Sequence, residues 1–190
     1  MNHQHNIVLD KLFNPLSLLE FYSWSGQDPP SASNHYDIDC FICFNGADYI
    51  AHLWSTLINS QPQPQPAPQS LNGVTWSMLS NVTGVFKCHV SIDCDGRNIE
   101  EHSFVLWISE EYVHVYNSYG GHPSFIYCYC NKEAWFTPLV DFSFLNPEDQ
   151  RNKLQATFGL PSSIFKSNYN TERFRGKPIS INDLSVTKVI

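Results

Sequence analysis

The feature that most constrains this chain is a pair of short runs on either side of a charged turn. They are Phe104-Val105-Leu106-Trp107-Ile108, then Ser109-Glu110-Glu111, then Tyr112-Val113-His114-Val115-Tyr116. Phe104, Leu106 and Ile108 alternate, as do Tyr112, His114 and Tyr116 or Val113, Val115 and Asn117, which is the period of a strand rather than of a helix. A connection of that length and polarity makes the two runs an antiparallel hairpin. Glu101-His102 opens the first strand, and Asn117 closes the second before Ser118-Tyr119-Gly120-Gly121. Pairing about the turn brings His102 and Asn117 to the same open end, where cross-strand neighbours sit about 5 Å apart. A side-chain amide there can orient an imidazole.

The rest of the chain surrounds this hairpin with helices and further strands. Phe44, Ala47, Ile50, Ala51, Trp54, Leu57 and Ile58 recur at the spacing of one buried helical face. Asp39 is a good N-cap for that helix and puts Cys40 in its first turn, while Gly46 weakens it by about 1 kcal/mol relative to Ala. Leu16–Tyr22 reads as a short helix behind Asn14-Pro15, and Trp76–Leu79 as a turn or two of helix. Val85–Ile92 alternates, Asp95-Gly96 is a hairpin signal, and Phe125–Cys130 is another strand. Residues 146–158 form a helix capped by Asn146 with Pro147 at its first position. From Gly159 onward the sequence is polar and no regular element is read. The expectation is an α+β fold, N-terminal helices packed on an antiparallel sheet.

One domain is expected over residues 1–190. Residues 61–69 alternate Pro with Gln, which fixes φ and removes every second backbone donor, so they form a surface insertion. A docking ligand of that composition is the other reading, but the basic flank such ligands often carry is absent. A 42% apolar fraction supports a real core, and a net charge of −7 with no Lys/Arg cluster argues against nucleic acid. No apolar run approaches the roughly 20 residues that cross a bilayer, so no membrane partner is expected. Met1-Asn2-His3-Gln4-His5-Asn6 lacks the start of a signal peptide. Together these point to a cytoplasmic setting.

The six cysteines (Cys40, Cys43, Cys88, Cys94, Cys128, Cys130) are therefore read as reduced. Cys40-x-x-Cys43 has a zinc-ligand spacing but no convincing second pair. No metal and no cofactor are expected, and most of the cysteines read as small buried hydrophobes. Cys128 and Cys130 alternate on one strand and share a face.

A cysteine acyl-transfer site needs a thiolate, a proton shuttle, a group that orients the imidazole, and oxyanion donors. A helix start stabilises a thiolate through its free N–H groups and dipole. The chain supplies Cys40, His102 and Asn117 in that order, with Asn34 on a preceding loop as an oxyanion donor. Each also has a plain reading: Cys40 as a core cysteine, His102 as a strand residue, Asn117 as a turn residue. Cys43 is the rival nucleophile. His89 and His114 are rival bases, each without a polar partner at a matching strand end.

Asp39-Cys40 before an apolar helix, His102-Ser103-Phe104-Val105-Leu106, and Tyr116-Asn117-Ser118-Tyr119 about fifteen residues after His102 resemble the papain-like cysteine peptidase clan. The likeness is to the compact domains of large DNA viruses and of dermonecrotic-type bacterial toxins, and it spans roughly residues 34–130. Asn34 stands where the clan usually carries Gln, one methylene longer. The resemblance implies a papain-like fold and thiol-dependent hydrolysis of an amide in a protein or peptide, either a peptide bond or a glutamine side chain. Cys40 would be the nucleophile, His102 the base and Asn117 its orienter, with Asn34 and the Cys40 N–H on the oxyanion. It also admits members that keep the fold without activity, as structural or host-interaction proteins in a virus particle or host cytoplasm.

Overall fold

The computed structural model describes residues 69–118, 125–160 and 175–190, together with Ala47, Ile50, Ala51, Trp54 and Ser55. Those five are helical. The elements that follow are β1 (Gln69–Leu71), α1 (Trp76–Leu79), β2 (Gly84–Cys94), β3 (Arg97–Ile108), β4 (Tyr112–Ser118), β5 (Phe125–Asn131), α2 (Lys132–Val140), α3 (Pro147–Phe158) and β6 (Ile179–Lys188). A short 3-10 turn, Phe142–Phe144, joins α2 to α3. The chain is thus α+β.

Turn chemistry sets the hairpins. Asp95 and Gly96 both take positive φ, 52° and 71°, the left-handed pair that matches the twist of β2 and β3. Ser109 closes the next turn, its N–H bonding the Tyr112 carbonyl at 2.9 Å and its hydroxyl bonding the same oxygen at 2.8 Å. Phe104 faces Asn117 and Ile108 faces Val113 across β3 and β4. The described strands form one sheet in the order β1-β6-β2-β3-β4-β5, with every neighbour antiparallel.

Because side chains alternate along a strand, the sheet carries two different cores. One face presents Phe86, Cys88, Val90, Ile92, Phe104, Leu106, Ile108, Val113 and Val115 to Leu79 of α1, Trp135, Phe136 and Leu139 of α2, and Leu154 and Phe158 of α3. The opposite face packs Val85, Val105, Trp107 and Tyr116 against Ala47, Ile50, Ala51 and Trp54 of the leading helical segment. The helical face read from the sequence is therefore buried at those four positions, and Trp54 is fully enclosed.

Three features depart from the sequence reading. The tail after Gly159 supplies β6, a strand inside the sheet between β1 and β2. Its apolar period breaks at Asp183, which takes φ 52°. Ile181 and Leu184 both still reach the core, so the alternation slips by one residue across a bulge, and the slip hides the strand. The second departure is α2. Pro138 lies inside it, and an internal proline argues against helix; its start is nevertheless secured by Asn131, whose side chain accepts from the Ala134 N–H at 3.1 Å. Third, Gln69 opens β1 rather than ending the Pro/Gln insertion. Helices therefore flank and follow the central strands, and do not all precede the sheet.

The α3 helix starts as expected, with the Asn146 side chain accepting from Asp149 N–H at 2.9 Å. Gln150 ties it to the sheet. Its carboxamide donates to the Phe142 carbonyl at 3.1 Å and accepts from the Ile179 N–H of β6 at 2.8 Å, which fixes where the helix end lies over the strands. Among the described residues no helix is long and apolar enough to cross a membrane.

Candidate active site

His102 lies two residues before Phe104 on β3, and Phe104 is opposite Asn117 on β4. By the pleat, both polar side chains emerge on the face covered by α1, α2 and α3. They meet there: His102 Nε2 lies 2.8 Å from Asn117 Oδ1. The Asn117 amide nitrogen in turn donates to the Thr157 carbonyl at 2.9 Å. That carbonyl belongs to the last turn of α3, where the helix leaves oxygens without an internal partner before Gly159 ends it at φ 65°.

This chain of contacts settles which way the groups point. A carbonyl oxygen only accepts, so it must face the NH₂ end of the amide, leaving Oδ1 toward the ring. Oδ1 also only accepts, so the neutral His102 ring carries its proton on Nε2 and its lone pair on Nδ1. Neighbouring rings fix the imidazole plane. Phe104 stacks on it at 5.8 Å between centroids, and the Phe158 ring is tilted against it at 5.5 Å. His102 is fully buried and Asn117 is 2% exposed. Burial is the main influence on the ring and pushes its pKa down to about 4; the Asn117 hydrogen bond works against that, and the charge of His89 adds to it. The ring is neutral near pH 7 unless a negative group stands at Nδ1.

Cys40, Cys43 and Asn34 lie outside the described residues. The described part of the leading helical segment covers the face opposite His102, where Trp54 lies beside Trp107 and His114. β4 stops at Ser118, and among the described residues His102 is paired with Val90 of β2 alone.

One of the rival histidines differs from expectation. His89 does have polar neighbours: its Nδ1 is 2.8 Å from Ser103 Oγ, and its Nε2 is 3.8 Å from Glu101. Both lie across β3 on the face away from His102. His114 stacks on Trp107 at 4.4 Å and lies 4.6 Å from the Tyr129 ring, an aromatic packing role. Thr157 and Phe158 are the residues the sequence reading missed at this site. Nothing local signals them, because the contact between Asn117 and Thr157 spans 40 residues and depends on where α3 lies.

Surface concavities among the described residues include two with defined linings. One is lined by Ser80, Lys132, Phe136 and Val140, the other by Leu71, Val74, Met78 and Val82, and neither includes His102 or Asn117. No group of three or more His, Cys, Asp or Glu side chains among the described residues is placed to hold a metal ion. Compared with protein-family models, curated proteins and solved structures, the chain matches none.

Proposed function

We propose that the chain is a papain-like thiol hydrolase acting on an amide of a protein or peptide, with Cys40 as nucleophile, His102 as proton shuttle and Asn117 as its orienter. The observation that carries this reading is the run from the Thr157 carbonyl through the Asn117 amide to His102 Nε2. It holds one ring nitrogen as a donor and turns Nδ1, the basic one, away from Asn117. In the reaction, Nδ1 takes the Cys40 thiol proton and the thiolate attacks the amide carbon. Asn34 and the Cys40 N–H hold the resulting oxyanion. The imidazolium then protonates the leaving amine, giving a thioester that water, deprotonated by the same nitrogen, hydrolyses. A thiolate at Nδ1 offsets the burial that otherwise depresses the ring.

A second reading is a non-enzymatic papain-like protein, structural or host-interacting, in which the pair only ties α3 to the sheet. It is favoured by the complete burial of His102 and by the helical segment's packing on the other face.

Incubation with a complex peptide mixture, followed by mass spectrometry, separates the two. The hydrolase reading expects either new peptide termini or glutamine converted to glutamate. Either product is lost in Cys40→Ala and retained in Cys43→Ala. Turnover that survives Cys40→Ala would remove Cys40 from the mechanism.

A further inference from the structure

Cys128 and Cys130 lie outside the site described above and have no part in it. They are alternate residues of β5, so the pleat puts both on one face, opposite Val115 and Val113 of β4. Both are free thiols, half-buried at the rim of the core, unlike Cys88 and Cys94, which are enclosed. As alternate residues of one strand, the two side chains are neighbours on that face. β5 ends the order of the described strands and is bonded to β4.

We propose that Cys128 and Cys130 form a redox-active dithiol that small-molecule disulfides convert reversibly to an intrachain disulfide. Cys128 is the attacking thiol. Donation from the Cys130 S–H to its sulfur is the main cause that draws its pKa down to about 7, against burial. The same bond, with burial, pushes Cys130 up. An attacking thiol works best with a pKa near ambient pH. The Cys128 thiolate attacks one sulfur of the small disulfide and expels the first thiolate, leaving a mixed disulfide. Cys130 then loses its proton, attacks Cys128 Sγ and expels the second. Two protein thiols are oxidised by two electrons, and one disulfide is reduced to two thiols.

Geometry sets the character of the bond. Residues two apart on a strand have Cα atoms about 6.6 Å apart, at the top of the range of about 4.4–6.8 Å that a disulfide spans. Closure therefore pulls β5 in, and the product is strained and easily reduced, as labile rather than structural disulfides are.

The test uses the whole reduced chain, equilibrated with oxidised and reduced glutathione at several ratios. Remaining thiols are then blocked with N-ethylmaleimide, and the peptides weighed. The expected result is that the Cys128–Cys130 peptide passes from two blocked thiols to none, two hydrogens lighter, while Cys88 and Cys94 stay blocked. Cys130→Ser stops the reaction at a stable glutathione adduct on Cys128. Cys130→Ala slows the reaction of Cys128 at pH 7 by about 5- to 10-fold, the fall in thiolate being partly offset by greater nucleophilicity. A persistent adduct in the unmodified chain would overturn the proposal. So would independent modification of the two thiols, or an unchanged Cys128 rate in Cys130→Ala.

Discussion

Acidification from pH 6.5 to pH 4 removes roughly 3 kcal/mol of stability through His102 in the Cys40→Ala chain, where burial is the largest influence on the ring. The sign follows from the direction of the shift. The folded ring has its pKa pushed down to about 4, below the ordinary value near 6.5, so the unfolded chain takes up the proton first. Stability is complete above pH 6.5 and falls as the pH drops toward 4. The difference in urea unfolding free energy between Cys40→Ala and a Cys40→Ala/His102→Gln double variant, followed against pH, isolates this ring from the other histidines. An identical acid profile in the two would mean that His102 is not held neutral by burial. With Cys40 restored the two functional readings part company. A thiolate at Nδ1 keeps the proton on the ring, so the hydrolase reading expects a much smaller acid loss, whereas the structural reading expects no change from Cys40→Ala.

Asn117→Ala costs about 3–5 kcal/mol, because it strands two groups at once. The Thr157 carbonyl and the His102 Nε2–H both lose their partner inside the fold, each such loss costs roughly 1–3 kcal/mol, and the vacated volume adds to it. Asn117→Asp separates the two losses. Its carboxylate still accepts from Nε2 and favours the imidazolium, but it sets a second oxygen against the Thr157 carbonyl. That variant is expected to be less damaged at pH 5.5 than at pH 8, while Asn117→Ala is damaged at both. Denaturant unfolding with an unchanged m-value reads these differences directly. A cost below about 1 kcal/mol for Asn117→Ala would mean that water or another side chain replaces the amide, and that the position of α3 does not depend on it.

The hairpin that carries the site was legible because each of its determinants is local. Alternation names the strands, Ser109-Glu110-Glu111 sets the turn, and the turn sets the register that brings His102 to Asn117. Asp95-Gly96 and Asn146-Pro147 were readable for the same reason. What escaped is non-local or irregular. β6 is hidden by the bulge at Asp183, and α2 by Pro138. The Thr157 and Phe158 contacts of the Asn117–His102 pair come from α3, whose position over the sheet rests on Gln150 and on core contacts that no short window of sequence contains. The partner environment of His89 was missed similarly: Ser103 and Glu101 come from a neighbouring strand whose register had first to be known. Where the helical pattern was long, at Ala47 to Trp54, even the buried face was readable.

The most direct test of the hydrolase reading is the rate at which iodoacetamide alkylates each cysteine as a function of pH, read peptide by peptide, in the unmodified chain and in His102→Gln. The expected result is two fast thiols with different dependences. At pH 6 Cys40 reacts at least about 10-fold faster than an ordinary exposed thiol and loses that advantage in His102→Gln. Cys128 is quick near pH 7, depends on Cys130 and is indifferent to His102. If Cys40 instead alkylates no faster than the buried Cys88 and Cys94, or keeps its rate without the His102 imidazole, there is no activated nucleophile. The His102–Asn117 pair would then be a structural tie between sheet and helix.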